Sequence, residues 1–520
     1  MPFKLKNNLA AVMALALPLA LGACTDTLRI ASHAPLTSVD PTWTTAYVTR
    51  SHGYMIYDTL FAMDQNFEPQ PQMVDSWTLS DDKKTYTFKL RDGLKWQDGL
   101  SVTSYDCVTS LERWGKRDGA GQLLFKNVES LTAPDDKTIV LVLKQSDSTT
   151  INVLAKPSAN VPFIIPKRVA FTDAWEQIDN TTGSGPFIFD KKDSTPDKAV
   201  YLRNPNYVPR KEEASLAAGG KVAKVDRVEW IYFPKQADAV KALIDGDVDY
   251  VESPSTQLVP MLEGKPDVTV ASTDPLGNVA MVRFNSLIPP FNNPAIRRAV
   301  LMAMKQDDYM QAALGDHRYW RNCYSVYPCG TPLANEAGSE VMKTADLEAA
   351  RKALAAAGYD GTPVVLMDPT DQPVMHALTG VTADLLQKIG MKVEVQEMDW
   401  ATLVQRRVNQ GPASEGGWNM FHTWWIAGDL MDPTAIAFSG DPKTGWFGWV
   451  NDPQLEDLRA QYAKAASEDE KQALAVKVQQ RLWDIGAFGV LGQFFEPVAF
   501  RTELKGITSP MQFYWGVYKD

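Results

Sequence analysis

The stretch 228–250 constrains the fold more than any other. Val228-Glu229-Trp230-Ile231-Tyr232-Phe233 reads as a strand and Ala237 to Asp245 as a helix. Gly246 stands where a helix C-cap favours a residue free to turn left-handed, and Asp247-Val248-Asp249-Tyr250 begins another strand. Strand, helix and strand in such close succession make a βαβ unit, and a βαβ unit implies a parallel sheet. The theme returns downstream. Asn292-Asn293 followed by Pro294 marks a helix start, with Ile296, Val300 and Met304 on one face. Val364-Val365-Leu366-Met367 leads into a helix with Leu378, Val381, Leu385 and Ile389 on one stripe, stopped by Gly390 before the strand Lys392-Val393-Glu394-Val395. Ser467-Glu468-Asp469-Glu470 is a capping box whose helix buries Leu474, Val478, Leu482 and Ile485.

Near the start, Leu28-Arg29-Ile30-Ala31 is a short strand. The polar, proline-marked loop Ser32 to Pro41 follows, then a helical segment near Tyr47 to Leu60. Loops at the C-terminal ends of strands are where α/β folds bind ligands. Between residues 61 and 181 the chain turns β-rich. Thr85-Tyr86-Thr87-Phe88-Lys89-Leu90 has period two, the stretch 91–99 reads as a hairpin with turn glycines Gly93 and Gly99, and Thr138 to Leu143 is a β-branched strand. Strands resume at Gly183-Ser184-Gly185-Pro186-Phe187 and Val200-Tyr201-Leu202-Arg203. A chain of 520 residues exceeds what one hydrophobic core supports, so two or three lobes are expected.

Lys4 and Lys6 precede the apolar run Leu9 to Leu21, which meets Gly22 and Ala23, the pattern of a signal peptide over residues 1–23. The run is too short for a bilayer-spanning helix, and no later stretch approaches the ~18 apolar residues one needs. The mature chain is expected to be exported to the periplasm and otherwise soluble. Leu21-Gly22-Ala23-Cys24 is the pattern of a bacterial lipobox, whose cysteine is acylated at cleavage; ordinary cleavage after Gly22 is the alternative. Acylation at Cys24 would tether a soluble body to the membrane, the one membrane contact expected. Cys323 and Cys329 bracket a loop short enough to close as a disulfide in an oxidising compartment. Cys107, at a helix start, reads as a buried small residue.

A formal net charge of −11, with no basic stripe to neutralise phosphates, sets nucleic acid aside as a partner. Catalytic constellations are missing as well. His33, His52, His317, His376 and His422 lie far apart with no HExxH spacing, no CxxC or Cys/His cluster suits zinc, and no GxSxG elbow occurs. No metal, cofactor or enzymatic activity is expected. Ser80-Asp81-Asp82-Lys83 and Lys443-Thr444-Gly445 match two of three serine acyl-hydrolase signatures. The catalytic motif, however, needs a helix start where Ser80 has a charged turn, and no SDN is found.

The most informative stretch runs from Trp418 to Pro433, a strand loaded with aromatics entering a loop with two carboxylates. Asp432 before Pro433-Thr434 reads as a helix N-cap. Asp429 has no such structural role, and a carboxylate beside Trp424 and Trp425 suits an ammonium group, by a charge-assisted hydrogen bond with cation–π support. Strand alternation lets only one of the two indoles line the pocket. Tryptophan is frequent throughout, 15 in all, which suits aromatic-walled pockets.

Several segments, in order, resemble the peptide- and nickel-binding solute receptors of ABC importers, the extracytoplasmic solute-binding protein family 5. They are Pro71-Gln72-Met73-Val74-Asp75-Ser76-Trp77, Thr85 to Gly99, Gly183 to Phe187, Phe284-Asn285 with Pro294 to Ala299, and Trp425 to Pro433. The run Tyr86 to Gly99 is the most specific. The resemblance implies an α/β fold of the periplasmic-binding-protein-like type II, three-lobed, with mixed sheets and a hinged ligand cleft. Lobe I would comprise 24–60, 182–278 and 500–520, lobe II 61–181 and lobe III 279–499, with the ligand enclosed between lobes I and III. It implies a monomeric receptor that captures a small-molecule ligand, a di- or oligopeptide or another amine-bearing compound, and delivers it to an ABC permease. A non-peptide solute (opine, sugar, metal chelate) and a sensory or chaperone role are the alternatives.

In peptide-binding members the aspartate of the matching loop pairs with the ligand's amino terminus, a role that falls on Asp429. The family places a tryptophan three residues before that aspartate, whereas Trp425 is four before it, which puts one extra residue in the loop. His33, after the first strand, and Phe494, near the second hinge crossing, join Asp429, Trp425 and Trp424 as candidate ligand contacts.

Overall fold

The βαβ unit anticipated at 228–250 forms with an addition that local sequence does not announce. In the computed structural model, which describes residues 26–343, 345–465, 467–508 and 511–520, the strand Thr27–Ser32 lies between Arg227–Tyr232 and Tyr250–Val251 and runs parallel to both. These are the centre of a seven-stranded sheet ordered Phe187–Phe189, Lys198–Arg203, Arg227–Tyr232, Thr27–Ser32, Tyr250–Val251, Pro497–Arg501, Val268–Ser272. The linking helix Gln236–Asp245 ends at Gly246 with φ 82°, the left-handed cap expected. Alternation along the first strand splits its side chains between two cores. Leu28 and Ile30 join Val228, Trp230 and Tyr250, while Ala31 packs with Val240, Leu243 and Ala499 on the opposite face. Both faces are therefore covered, as a parallel sheet centre requires.

A six-stranded mixed sheet follows, ordered Trp320–Arg321, Phe488–Phe494, Asn278–Phe284, Met420–Ile426, Val364–Pro369, Val393–Met398. The strand Asn278–Phe284 is buried at every residue because both neighbours and both faces are occupied. Helix Pro294–Ala303 starts as anticipated, with Asn293 accepting from the Ala295 N–H and Pro294 in the first turn. Helices Pro373–Lys388 and Glu468–Asp484 bury Leu378 and Leu385, and Leu474, Val478 and Leu482, in one core.

The third sheet, antiparallel, orders Val74–Leu79, Thr85–Leu90, Thr138–Leu143 and Val128–Asp135. Its core is continuous with one face of the seven-stranded sheet: Phe88 and Ile139 belong to the same buried cluster as Leu28 and Trp230. The stretch 91–99 departs from the hairpin expected of it. Gly93 and Gly99 are left-handed turn residues, but pairing is reduced to one bridge between Lys95 and Ser101. Trp96 is turned into the core, and the Gln97 N–H donates to the Gly183 carbonyl at 2.9 Å instead of to a partner strand.

The chain passes between the seven- and six-stranded sheets twice, from Ser272 to Asn278 and from Phe494 to Pro497. Pro497–Arg501 lies wholly in the seven-stranded sheet, so the second passage falls at Phe495-Glu496, ahead of the division expected at 499. Cys323 and Cys329 are bridged with their Cα atoms 5.8 Å apart, and Cys107 is buried. The leader and Cys24 lie outside the described residues. No described helix is long and apolar enough to cross a membrane.

Candidate functional site

Three parts of the chain converge on Asp429. The aromatic strand ends at Ile426 and a short 3-10 turn, Ala427–Asp429, swings the carboxylate toward helix Tyr47–Ile56. The Tyr47 hydroxyl donates to Asp429 Oδ2 at 2.8 Å and accepts the Ile426 N–H at 2.7 Å. Ser158 Oγ donates to the same Oδ2 at 3.1 Å and accepts from Arg50 Nη1 at 2.7 Å. Burial holds the Asp429 carboxyl above the usual carboxylate range, opposed by the charges of Arg50 and Lys156 and by the two hydroxyls. The Tyr47 phenol is pushed well up by burial and by the neighbouring carboxylate. Asp429, Ser158, Lys156 and Phe67 border a cavity of about 350 Å³.

Trp424 is half-buried and stacks on Tyr47, ring centroids 5.1 Å apart and planes 26° apart. Phe494, wholly buried, meets its edge at 6.1 Å and reaches the cleft only through that ring. Trp425 is 3 % exposed and packs on Trp446 at 4.9 Å. Both indoles, with His33 and Gln372, border a small cavity of about 40 Å³, so strand alternation separates them by degree of exposure and not by exclusion.

His33 belongs to a charged cluster beside the second passage between sheets. Its Nδ1 is 2.6 Å from Glu252 Oε2, and its backbone N–H donates to the same oxygen at 2.9 Å. The Tyr514 hydroxyl donates to Glu252 Oε1 at 2.5 Å. Burial works against ionising Glu252, yet the His33 ring and these hydrogen bonds hold it below the ordinary range. Nearby Glu496 has one donor among the described residues, Asn278 Nδ2 at 2.9 Å, and burial pushes it up to about 7 against the charge of His33.

Asp432 differs from the N-cap expected. Its Oδ1 accepts from the Thr434 N–H at 2.7 Å and from Thr434 Oγ1 at 2.6 Å, closing a turn that leads only to the 3-10 segment Ile436–Phe438. Arg459 is the reason: it draws the carbonyls of Pro433, Thr434 and Ala435 to its guanidinium, and those are the acceptors a helix would need. Ser80 sits in a turn, donating to Asp82 and accepting from the Thr85 N–H, with no helix start to serve catalysis.

A further cavity of about 230 Å³ lies among Trp43, Trp175, Trp400, Trp446 and Trp449 and includes Arg117 and Arg407. Neither arginine is among the residues singled out from sequence. Only the high tryptophan content hinted at such a chamber, because its walls come from positions as far apart as 43 and 449. Among the described residues no group of three or more His, Cys, Asp and Glu could hold a metal ion.

The model of bacterial extracellular solute-binding proteins, family 5, middle portion, matches residues 68–446. The chain belongs to this family. A probable peptide ABC transporter periplasmic-binding protein of Sinorhizobium fredii is 35% identical over 525 residues, 99% of this chain and 98% of that protein. A glutathione-binding protein of Escherichia coli strain K12 is 25% identical over 458 residues, covering 86% and 85% of the two chains. The Escherichia coli murein tripeptide binding protein has the same fold, with a TM-score of 0.79 at 19% identity over 96% of this chain and 99% of that one. As a family 5 protein the chain is the substrate-binding component of an ABC importer, and its relatives are solute-binding proteins, not enzymes. The mixed α/β architecture is that of the family's periplasmic binding proteins.

Proposed function

We propose that the importer's solute is a di- or oligopeptide or another amine-bearing compound, captured in the cleft between the two larger sheets. Its ammonium group meets Asp429, and Trp424 supplies the half-buried ring, with Trp425 and Phe494 fixing that ring from behind. His33 closes the far end of the cleft. The observation that carries this reading is the meeting of Tyr47, Ser158 and Asp429, one from each sheet's unit, at a carboxylate whose Oδ2 holds two hydroxyl donors and no cation among the described residues. An arriving ammonium would replace the solvation that burial removes, and would bind units that an empty cleft leaves free to part. Lobe I, lobe II and lobe III, divided as the resemblance implies but with the second passage at 495–496, would then close as a monomer on the solute and present the closed form to the permease. Export to the periplasm and a tether at Cys24 complete the reading, checked by the mass of the mature protein recovered from membranes.

Calorimetry tests the assignment. The dipeptide Ala-Phe is expected to bind the wild type, and Asp429→Ala to weaken it by about 10- to 100-fold, the loss of one charge-assisted contact. Unchanged affinity in Asp429→Ala would place the ammonium elsewhere.

A further inference from the structure

The two passages between the larger sheets run against each other. Gly277, in the first, has φ 62°, and a Cβ there would collide with the Phe494 carbonyl and the Phe495 ring at the start of the second. A single segment, 319–329, grips both. The Phe495 N–H donates to the Tyr319 carbonyl at 2.8 Å, and the Arg321 guanidinium lies over the Phe495 ring, 5.3 Å from its centroid. At the other end of the segment the Cys329 N–H donates to Gln493 Oε1 at 2.9 Å, and Gln493 Nε2 donates to the Leu276 carbonyl, in the first passage, at 2.6 Å. Gln493 is wholly buried, so its amide is a fixed strut from Cys329 to the first passage.

The bridge between Cys323 and Cys329 closes this segment, yet the chain around Cys323 is held without it. Gln306 accepts the Cys323 N–H and donates to the Cys323 carbonyl, both at 2.7 Å. Gln479 Oε1 accepts from Ser325 Oγ and from the Val326 N–H, both at 3.0 Å, and the Tyr327 hydroxyl donates to the Ala475 carbonyl at 3.0 Å. A bridge between positions six apart also gains less from loop closure than one spanning a long loop. What the bridge adds is the placement of Cys329, which is half-buried and precedes the exposed Gly330. Cys323 is buried, and the carbonyls of Ser325 and Tyr327 lie 3.9 Å from its sulfur, acceptors for an S–H once the bridge opens.

We propose that Cys323 and Cys329 form a reversible thiol–disulfide exchange site whose state sets how readily the two larger sheets part. The inference rests on the reading that these sheets close on a solute, and adds a control on that closure. A dithiol reductant attacks the sulfur of Cys329, on the more accessible residue; the bond between the two sulfurs breaks, and Cys323 leaves and takes up a proton. The second thiol of the reductant then displaces Cys329, which leaves as a thiol, and the reductant departs as a disulfide, two electrons and two protons having been transferred. With the bridge intact, Cys329 keeps Gln493, and through it Leu276, in place. With the bridge open that strut is released while Tyr319 still holds Phe495, so the longer passage is the one that loosens.

The test uses the full mature chain, oxidised, reduced with dithiothreitol and reoxidised; Cys107 is buried and a free thiol. In small-angle X-ray scattering without solute, reduction is expected to raise the radius of gyration and reoxidation to restore it. Ala-Phe should bind the reduced form about fivefold or more weakly, and by linkage saturating Ala-Phe should disfavour reduction by the same factor, a shift of roughly 20 mV. Gln493→Met, with the bridge intact, should reproduce the expansion and leave reduction nothing to add. Equal radii in the two redox forms, or a full further expansion on reducing Gln493→Met, would overturn the inference. Reduction that abolishes cooperative melting would also overturn it, by making the bridge a structural staple. If the radii differ as expected but Ala-Phe binds neither form, the redox control of the passages stands and the solute assignment fails. If Ala-Phe binds both forms equally and the radii agree, the solute assignment stands and the redox control fails.

Discussion

Asp58 and Arg407 are both buried ions, and the fold treats them in opposite ways. Asp58, beside the four-stranded sheet, receives Lys221 Nζ at 2.8 Å and the Tyr207 hydroxyl at 3.0 Å, and both members of the ion pair are 1 % exposed or less. Burial alone would raise its carboxyl, but Lys221 and Arg91 hold it below the usual range. Arg407, in the cleft, has rings around it, and its guanidinium has no acceptor among the described residues. A charge whose partners are all supplied from within stabilises the fold, whereas one surrounded only by rings contributes little to it. Proteins commonly accept such local instability where they bind.

The comparison breaks if removing the satisfied charge proves harmless. Asp58→Ala leaves Lys221 buried without its carboxylate and is expected to cost about 3–5 kcal/mol in urea unfolding. Because the folded Asp58 titrates below its unfolded value, its contribution is present above about pH 4 and is lost as pH falls through the folded value. Arg297→Met sharpens the comparison from the cationic side. It orphans three carbonyls that Arg297 now serves and should lower stability by about 2–3 kcal/mol in the same assay, where Arg407→Gln lowers nothing.

Glu496 stands between the two extremes, with one donor and a neighbouring carboxylate in Glu252. Its folded value near 7 lies above that of the unfolded chain, so the folded state holds its proton longer and stability declines as pH rises from about 4.5 to about 7. Glu496→Gln should remove that decline. The expected gain is about 3 kcal/mol at pH 8 and near zero at pH 4.5, and a melting-temperature difference that does not change with pH would count against it.

The legible parts of the molecule were those whose causes are local. Gly246 and Asn293-Pro294 mark helix ends because caps are settled within a few residues, and the Cys323 to Cys329 spacing was short enough to bridge. Asp429 stood out because two indoles precede it in one run, but its partners Tyr47 and Ser158 come from hundreds of residues away, and no periodicity encodes that meeting. Asp432 is not the cap that Pro433-Thr434 suggests, because the cause lies at Arg459, on a later helix. Gln405-Arg406-Arg407-Val408 resembles any solvated helix end; what distinguishes Arg407 is the surrounding rings of Phe447, Trp446 and Trp400, assembled only by folding.

The two passages between the larger sheets differ in length: five residues separate Ser272 from Asn278, and two separate Phe494 from Pro497. Two pins fix a line, and bodies joined by two pins keep one easy degree of freedom, rotation about that line. The shorter connection would act as the tight pin and the longer would take up the residual twist. A single distance, measured between labels placed on either side of the cleft mouth, would then describe the whole excursion, and Glu496, seated in the tight pin, is the ionisable group with the shortest lever on it.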